Sequence, residues 1–468
     1  MRRRGHRRVP EPTGCQPDPW RFIADARPAI FASLACVLLR PAFTAPTFDT
    51  FCALLAGFIG RVGEHTITGM WQAARLADRV HHSRAHDFFA RAGWCADRLG
   101  LLVLDFLIER FLDPETPITL AVDGSVFARS GRKVFGAVWH HDSGAAPNGN
   151  GFKFGNCFVV VGLVVRIGAL GERAWCLPVL FRLWRPTPKP TKRNPDPKRR
   201  PSQPELAARL IERIAKRYPK RRLDVVGDAA FGTRALASLP ERVSVTARLR
   251  SNAAIYAPKP PPTGRRGRPR KKGQRLGTPG ELAAAGEWIE VEVPGRGAVA
   301  VCGVRGLWYS VFGPREVEVI LVRECDDGDG YRIALVTTDL DAAPEQIIAR
   351  YDERWSIECS FQGAKHVVGV GEARNRTRRA VERTVPFGFL CQTLVVAWYV
   401  LHGDPRADVV LRRRSAPWYV QERDPSMLDM LTALRRELIR AEFQAQAGAS
   451  PKAAKITRPA LRLQRVAA

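Results

Sequence analysis

A mixed α/β fold, interrupted by a β-rich insertion and preceded by a helical region, is what the sequence predicts, on three observations. Apolar runs of strand length follow one another between Thr116 and Leu183; a segment of helical period then leads into a further short apolar run ending at Asp228; and strand-like runs separate that strand from a helical stretch around Glu358. At 468 residues the chain is too long for one ordinary domain. The reading divides it into a basic arm (1–20), a helical DNA-binding region (21–115), the first part of the α/β domain (116–245), a basic linker with an inserted β-subdomain (246–340), the second part of the α/β domain (341–402) and a basic tail (403–468).

The arm is rich in Arg and Pro and lacks the periodicity of a fold-forming segment. From Pro28 to Leu112 the period is helical, with breaks at Pro41, Pro46 and Gly60. Two amphipathic pieces within Thr66 to Trp94 fit a helix-turn-helix, in which Ser83 caps the second helix and Arg84 and His86 face DNA; a plain helical bundle fits the same pattern. His82 and His86 have the i, i+4 spacing of a metal pair, but no Cys or carboxylate signature accompanies them, and a solvated or phosphate-facing pair fits better.

Strands are expected at Ile118 to Asp123, Lys133 to Trp139, Cys157 to Ile167 and Trp175 to Leu183. Asp123 closes the first, which alternates Ile118, Leu120 and Val122 on one side, and Gly124 frees the backbone after it. Arg185 to Pro201 alternates Pro with Lys and Arg, an extended loop suited to a phosphate backbone. Ser202 and Glu205 then form a capping-box pattern ahead of Leu206, Leu210, Ile211, Ile214 and Tyr218 at helical spacing. Asp228 ends an apolar run that reads as a fully buried central strand, flanked by Gly227 and Gly232.

The stretch between Asp228 and Glu358 far exceeds one crossover connection, so something is inserted there. Trp288 to Val304 and Val317 to Val336 are strand-like, the second a hairpin whose acidic turn (Asp326, Asp327, Asp329) lacks the ligand series of a calcium loop. Gly264 to Gly273 is similar to the AT-hook minor-groove motif, with Gly267, Arg268 and Pro269 as core and Arg266 and Arg270 beside it; a generic basic linker is the other reading.

Lys and Arg number 74 against 46 Asp and Glu, a formal charge of +28, and the partner this implies is a polyanion. The basic residues are spread along the chain rather than gathered on one amphipathic helix, which favours nucleic acid over a membrane surface. The ten cysteines stand singly without a zinc-knuckle spacing, as in a reduced cytoplasmic compartment; neither a signal peptide nor a membrane span is evident.

The sharpest pattern lies in Tyr-Asp-Glu-Arg-Trp-Ser-Ile-Glu-Cys-Ser-Phe-Gln-Gly-Ala-Lys, residues 351–365. On one helix, Tyr351, Arg354, Glu358 and Lys365 fall within roughly 60° of each other, and beside them runs an apolar row of Ile357, Phe361, Ala364 and Val368. The spacing Tyr-x2-Arg-x3-Glu-x6-Lys resembles the signature of insertion-sequence transposases of the DDE superfamily. The resemblance implies an RNase H-like catalytic domain, matching the order strands, helix, strand. It also implies that Glu358 is the third metal-binding carboxylate and that Tyr351, Arg354 and Lys365 hold phosphates of the element's end.

Two aspartates at strand ends must then supply the rest of a two-metal site, and Asp123 and Asp228 are the candidates. Asp142, in His-His-Asp, is the other carboxylate available for the first position. The implied cofactor is two Mg²⁺ ions, with Mn²⁺ able to substitute. The implied partners are double-stranded DNA, as terminal repeats and target, and a second copy of the chain. A tryptophan of the insertion, Trp288 or Trp308, would stack on a flipped base or belong to the insertion's core. Two other functions fit the same residues: a non-catalytic DNA-binding descendant, or a nuclease that never joins strands.

Overall fold

The computed structural model describes residues 37–141, 151–192, 195–261, 270–326, 328–418 and 424–449. Its centre is one mixed sheet. β1 (Ile118–Ala128) lies antiparallel to β3 (Phe152–Arg166), whose outer edge carries both β2 (Val138–His141) and β4 (Ala174–Trp184). On its other side β1 runs parallel to β5 (Leu223–Gly227), and β5 parallel to β6 (Val243–Arg248). From β4, on the far side of β3, the chain crosses to β5, beside β1, through the helix α5 (Gln203–Arg217). This helix begins with the expected capping box: the Ser202 amide donates to the Glu205 carboxylate at 2.7 Å, and the Glu205 amide donates to the Ser202 hydroxyl.

The insertion holds the expected hairpins, but they continue the central sheet. β12 (Ile333–Thr337) pairs antiparallel with β6, and β11 (Val317–Glu324), β10 (Gly297–Gly306) and β9 (Ile289–Val293) follow outward. A second small core on this extension packs Val301, Ile320 and Leu335 against Ile347, Ile348 and Tyr351 of the next helix. Between β6 and β9, a short pair β7 (Ile255–Tyr256) and β8 (Arg275–Gly277) brackets the AT-hook-like segment. The core of that motif, with Arg266 and Arg268, lies outside the described residues; Arg270 is exposed, and the Lys272 ammonium sits 3.2 Å over the Tyr256 ring.

Two expected strands are corrected. β1 does not close at Asp123 but continues to Ala128, with Gly124 paired to Val159. A Cβ there would lie 2.5 Å from the Gln203 side-chain oxygen of α5, so a larger residue would displace that flexible side chain. Over 133–137 the chain turns: Gly136 adopts φ +73°, and the strand starts only at Val138.

In front of the sheet stand α1 (Ala45–Gly60), α2 (Ile67–Ala73), α3 (Ser83–Ala90) and α4 (Ala96–Phe111). The helix-turn-helix reading of α2 and α3 fails on two counts. Their connection, Ala74 to His82, exceeds the roughly three- to four-residue turn of that motif. Arg84 braces α1 by donating to the Thr50 hydroxyl (3.1 Å) and the Pro46 carbonyl (3.2 Å). Ser83 is the first helical residue, not the cap.

These helices share one core with the α/β domain through α9 (Arg378–His402): Phe387 meets Phe51 and Phe89 edge-on, and Arg383 donates to the carbonyls of Phe89, Ala92 and Trp94. Among the described residues α9 is the one helix long and apolar enough to cross a membrane, and 89% of its most apolar window is buried against protein. The start of the 403–468 segment, expected as a basic and partly helical tail, holds two helices. α10 (Pro405–Ser415) and α11 (Met427–Ala449) are tied by Arg412–Asp429 and Arg436–Asp408 pairs. Met430, Leu431 and Leu434 are in the core, and Arg435 donates to the carbonyls of Ile59 in the last turn of α1 and Arg61 just after it.

Candidate active site

Asp123 and Asp228 come together because β1 and β5 are parallel neighbours in matching register. The last rung of that ladder joins Val122 to Gly227, so the two aspartates are the next residues on adjacent strands, which lie about 4.8 Å apart. Carboxyl ends of parallel strands are where open α/β sheets bind ligands. The Asp123 carboxylate accepts from the Gly124 amide at 2.6 Å. Asp228 accepts from the Ala230 amide at 2.9 Å, an Asx-type turn that fixes its side chain at the strand end.

Glu358, expected as the third carboxylate, lies on a path that differs from the expected single helix. α7 (Pro344–Asp352) ends before Arg354, α8 (Trp355–Gly363) carries Glu358, and Lys365 lies in a π-helical turn, Ala364–Val368. The joint is a tight turn in which the Arg354 and Ser356 amides donate to the Tyr351 and Glu353 carbonyls three residues back, and beside it Asp352 pairs with Arg296 of the β9–β10 turn and Glu353 with Arg166 at the end of β3. The apolar row survives it: Ile357, Phe361, Ala364 and Val368 are all buried.

The break leaves Arg354, Glu358 and Tyr351 around one point. The Arg354 guanidinium donates to Glu358 at 2.9 Å and sits 5.5 Å from the Tyr351 ring centroid, with its Nε buried and unpartnered. Burial raises the Tyr351 phenol, with Asp228 adding to the rise and Arg354 opposing it. The Lys365 ammonium lies 5.2 Å over the ring of Phe127, two pleats along β1 from Asp123 on the same face.

Asp123 shows what this crowding does electrostatically. Burial pushes its carboxyl up to about 6, the Gly124 hydrogen bond and Arg354 pull it down, and Asp228 and Glu358 push it further up. A group whose folded pKa exceeds its unfolded value of about 3.9 contributes stability that is full below that value and is lost as pH rises through the folded value. In chelator, the native chain is therefore expected to lose more thermal stability between pH 4.5 and 7 than Asp123→Asn. Equal pH dependence of the two melts would remove this assignment.

Asp123 and Asp228 on neighbouring strands, near enough for the charge of Asp228 to raise the Asp123 carboxyl, favour added positive charge, and oxygen donors of this kind suit a hard divalent cation. Of the soft donors nearby, Cys157 has its thiol pushed up to about 12 by burial and by Asp123, and burial and Asp123 raise Cys176 as well. Among the described residues no three His, Cys, Asp or Glu side chains yet converge as a ligand cluster, and Glu358 is turned to Arg354.

Other expected residues fall elsewhere. Asp142 lies outside the described residues. Trp308 is buried in the main core, and Trp288, half-buried, donates to the Ala283 carbonyl beneath the Arg323 guanidinium. Sequence reasoning missed Arg129, whose guanidinium donates to Asn156 and to the carbonyls of Gly371 and Ala373, fixing the loop after Lys365 to β1. Its signal in the sequence is the even spacing from Asp123, for although β1 ends at Ala128 the Arg129 amide still donates to the Phe154 carbonyl and continues the pleat.

β3 and β4 antiparallel beside β1, β5 and β6 parallel to it, and Asp123 and Asp228 on neighbouring strands make an RNase H-like fold. Residues 38–298 match the family model described as DDE superfamily endonuclease, more than half of the chain, and the chain belongs to that family. The match takes in Asp123 and Asp228 and stops short of α8. Among curated proteins no relative matches.

Proposed function

We propose that this endonuclease is a transposase that cuts the ends of an insertion sequence and joins them to target DNA. The observation that carries the reading is the adjacency of Asp123 and Asp228 at the end of the parallel ladder, with the Arg354–Glu358 pair close enough to Asp123 to act on its charge. Asp123, Asp228 and Glu358 would hold two Mg²⁺ ions, or Mn²⁺ in their place, which supply activation of a water or 3′-hydroxyl and stabilisation of the leaving oxygen. Arg354 neutralises Glu358 until a DNA phosphate takes its planar fork, for which a guanidinium is the better bidentate partner. Lys365 contributes a point charge on the Phe127 side, and Tyr351 positions the flanking phosphate or sugar. The DNA partners are the terminal repeats and the target duplex, cut by at least two copies acting together, in the cytoplasm at the nucleoid.

A cation-dependent melt tests the site apart from turnover. Mg²⁺ at about 100 times its Kd is expected to stabilise the native chain by roughly 2.7 kcal/mol over chelator. Asp228→Asn should lose most of that gain. An equal gain in both proteins places the cation elsewhere and counts against the reading.

A further inference from the structure

The β2–β3 ribbon carries four aromatic rings on one face. Trp139 pairs with Phe154 and His141 with Phe152, two rungs apart, so all four side chains leave the ribbon on the same side. Ring centroids are 5.4 Å apart in the first pair and 5.8 Å in the second. Core-forming rings would be covered, yet Trp139 is 68% and Phe152 59% exposed. The opposite face is the buried one, where His140 packs on Trp184 and meets the Gly155 carbonyl.

At the foot of the ribbon is a basic cluster. The Arg185 guanidinium lies 4.6 Å over the Phe135 ring and that of Arg378 at 5.8 Å. The ring is held in place by its own backbone, which accepts from Asn156 and donates to the Arg376 carbonyl. Burial and the nearby charges of Arg200 and Arg378 depress the Arg185 pKa, with Glu382, which pairs with Arg378, opposing them. Cations gathered against their own repulsion fit an anionic partner. Asn156 also accepts from Arg129, which joins the cluster to the strand of Asp123.

We propose that the aromatic face of the β2–β3 ribbon and the arginines at its foot are a docking surface for an unpaired DNA strand. Bases stack on Trp139 and Phe152, and phosphates lie along Arg185 and Arg378. Aromatic rings beside a basic track are the general means of holding single strands, since every base has a π-face whatever its sequence. The proposal rests on the DNA-cutting reading for its partner and adds a strand-specific surface outside the carboxylate site.

The test is fluorescence anisotropy with the full chain in chelator, comparing a labelled 20-nucleotide thymidine strand with a duplex of equal length at one salt concentration. Trp139→Ala combined with Phe152→Ala is expected to weaken single-strand binding by on the order of tenfold or more while leaving duplex binding within about twofold. Trp139→Phe should retain most of the affinity. Arg185→Gln with Arg378→Gln should weaken single-strand binding and flatten its salt dependence. Unchanged single-strand affinity in the aromatic variant overturns the proposal. So does a dimer that becomes a monomer on the same exchange, which would give the face to a second copy. The assay needs no cleavage, so a native chain that fails to cut duplex DNA yet shows these losses would sink the catalytic reading alone.

Discussion

Asp228→Asn is expected to lower cleavage of an end-containing duplex by at least about 10³-fold while leaving its binding within about twofold. The exchange keeps volume and keeps the oxygen that accepts from the Ala230 amide, so the strand-end turn survives. What it removes is one negative charge beside Asp123, whose carboxyl is already raised by burial with Asp228 adding to it. The Asp123 carboxyl should therefore titrate lower in the variant. Carbon-13 NMR of labelled aspartate would read this fall independently of activity. Cutting at more than a tenth of the native rate would take Asp228 out of the reaction.

The second large effect is on stability. Arg350→Met is expected to destabilise the chain by about 1–3 kcal/mol in urea unfolding, because it takes one of two guanidiniums from a pair of buried carboxylates. Arg350 donates to Asp339 at 2.9 Å and lies 3.4 Å from Asp224, and both aspartates are almost wholly buried at the start of β5 and the end of β12. Arg222 bridges the same pair. Burial works to raise the Asp339 carboxyl, and the hydrogen bonds from Arg350 and Arg222 outweigh it, so it is held below its ordinary value. This contribution is full at neutral pH and lost as pH falls through the folded value, so the gap between native and variant should narrow in acid. Because Arg350 precedes Tyr351 on α7, the network also holds the helix that feeds the Glu358 segment. A loss below about 1 kcal/mol would show that the network is dispensable.

Local signals were legible in the sequence where local chemistry decides structure. The alternation around Asp123, the apolar run before Asp228 and the Ser202 capping box each specify their element within a few residues. What escaped depends on distant partners. Nothing near Glu353 shows that the 351–365 stretch divides into two helices and a π turn, or that Asp352 and Glu353 pair with Arg296 and Arg166 from distant parts of the chain. The insertion's strands were legible, but their joining to β6 is a pairing across the chain. The aromatic ladder stayed hidden because the strand was expected to begin at Lys133, which blurs the alternation of Trp139 and His141. The Arg-rich character of α10 and α11 masked the buried Met430, Leu431 and Leu434 beneath it.

The most direct measurement is cutting of a supercoiled plasmid that carries the flanking terminal repeats, with Mg²⁺, by the native chain and by Glu358→Gln, with gel-shift binding followed in parallel. Nicked, linear and joined products from the native chain, none from Glu358→Gln, and equal binding by both are what a carboxylate-dependent transposase produces. Intact binding with no cutting by either protein, or equal cutting by both, would contradict it.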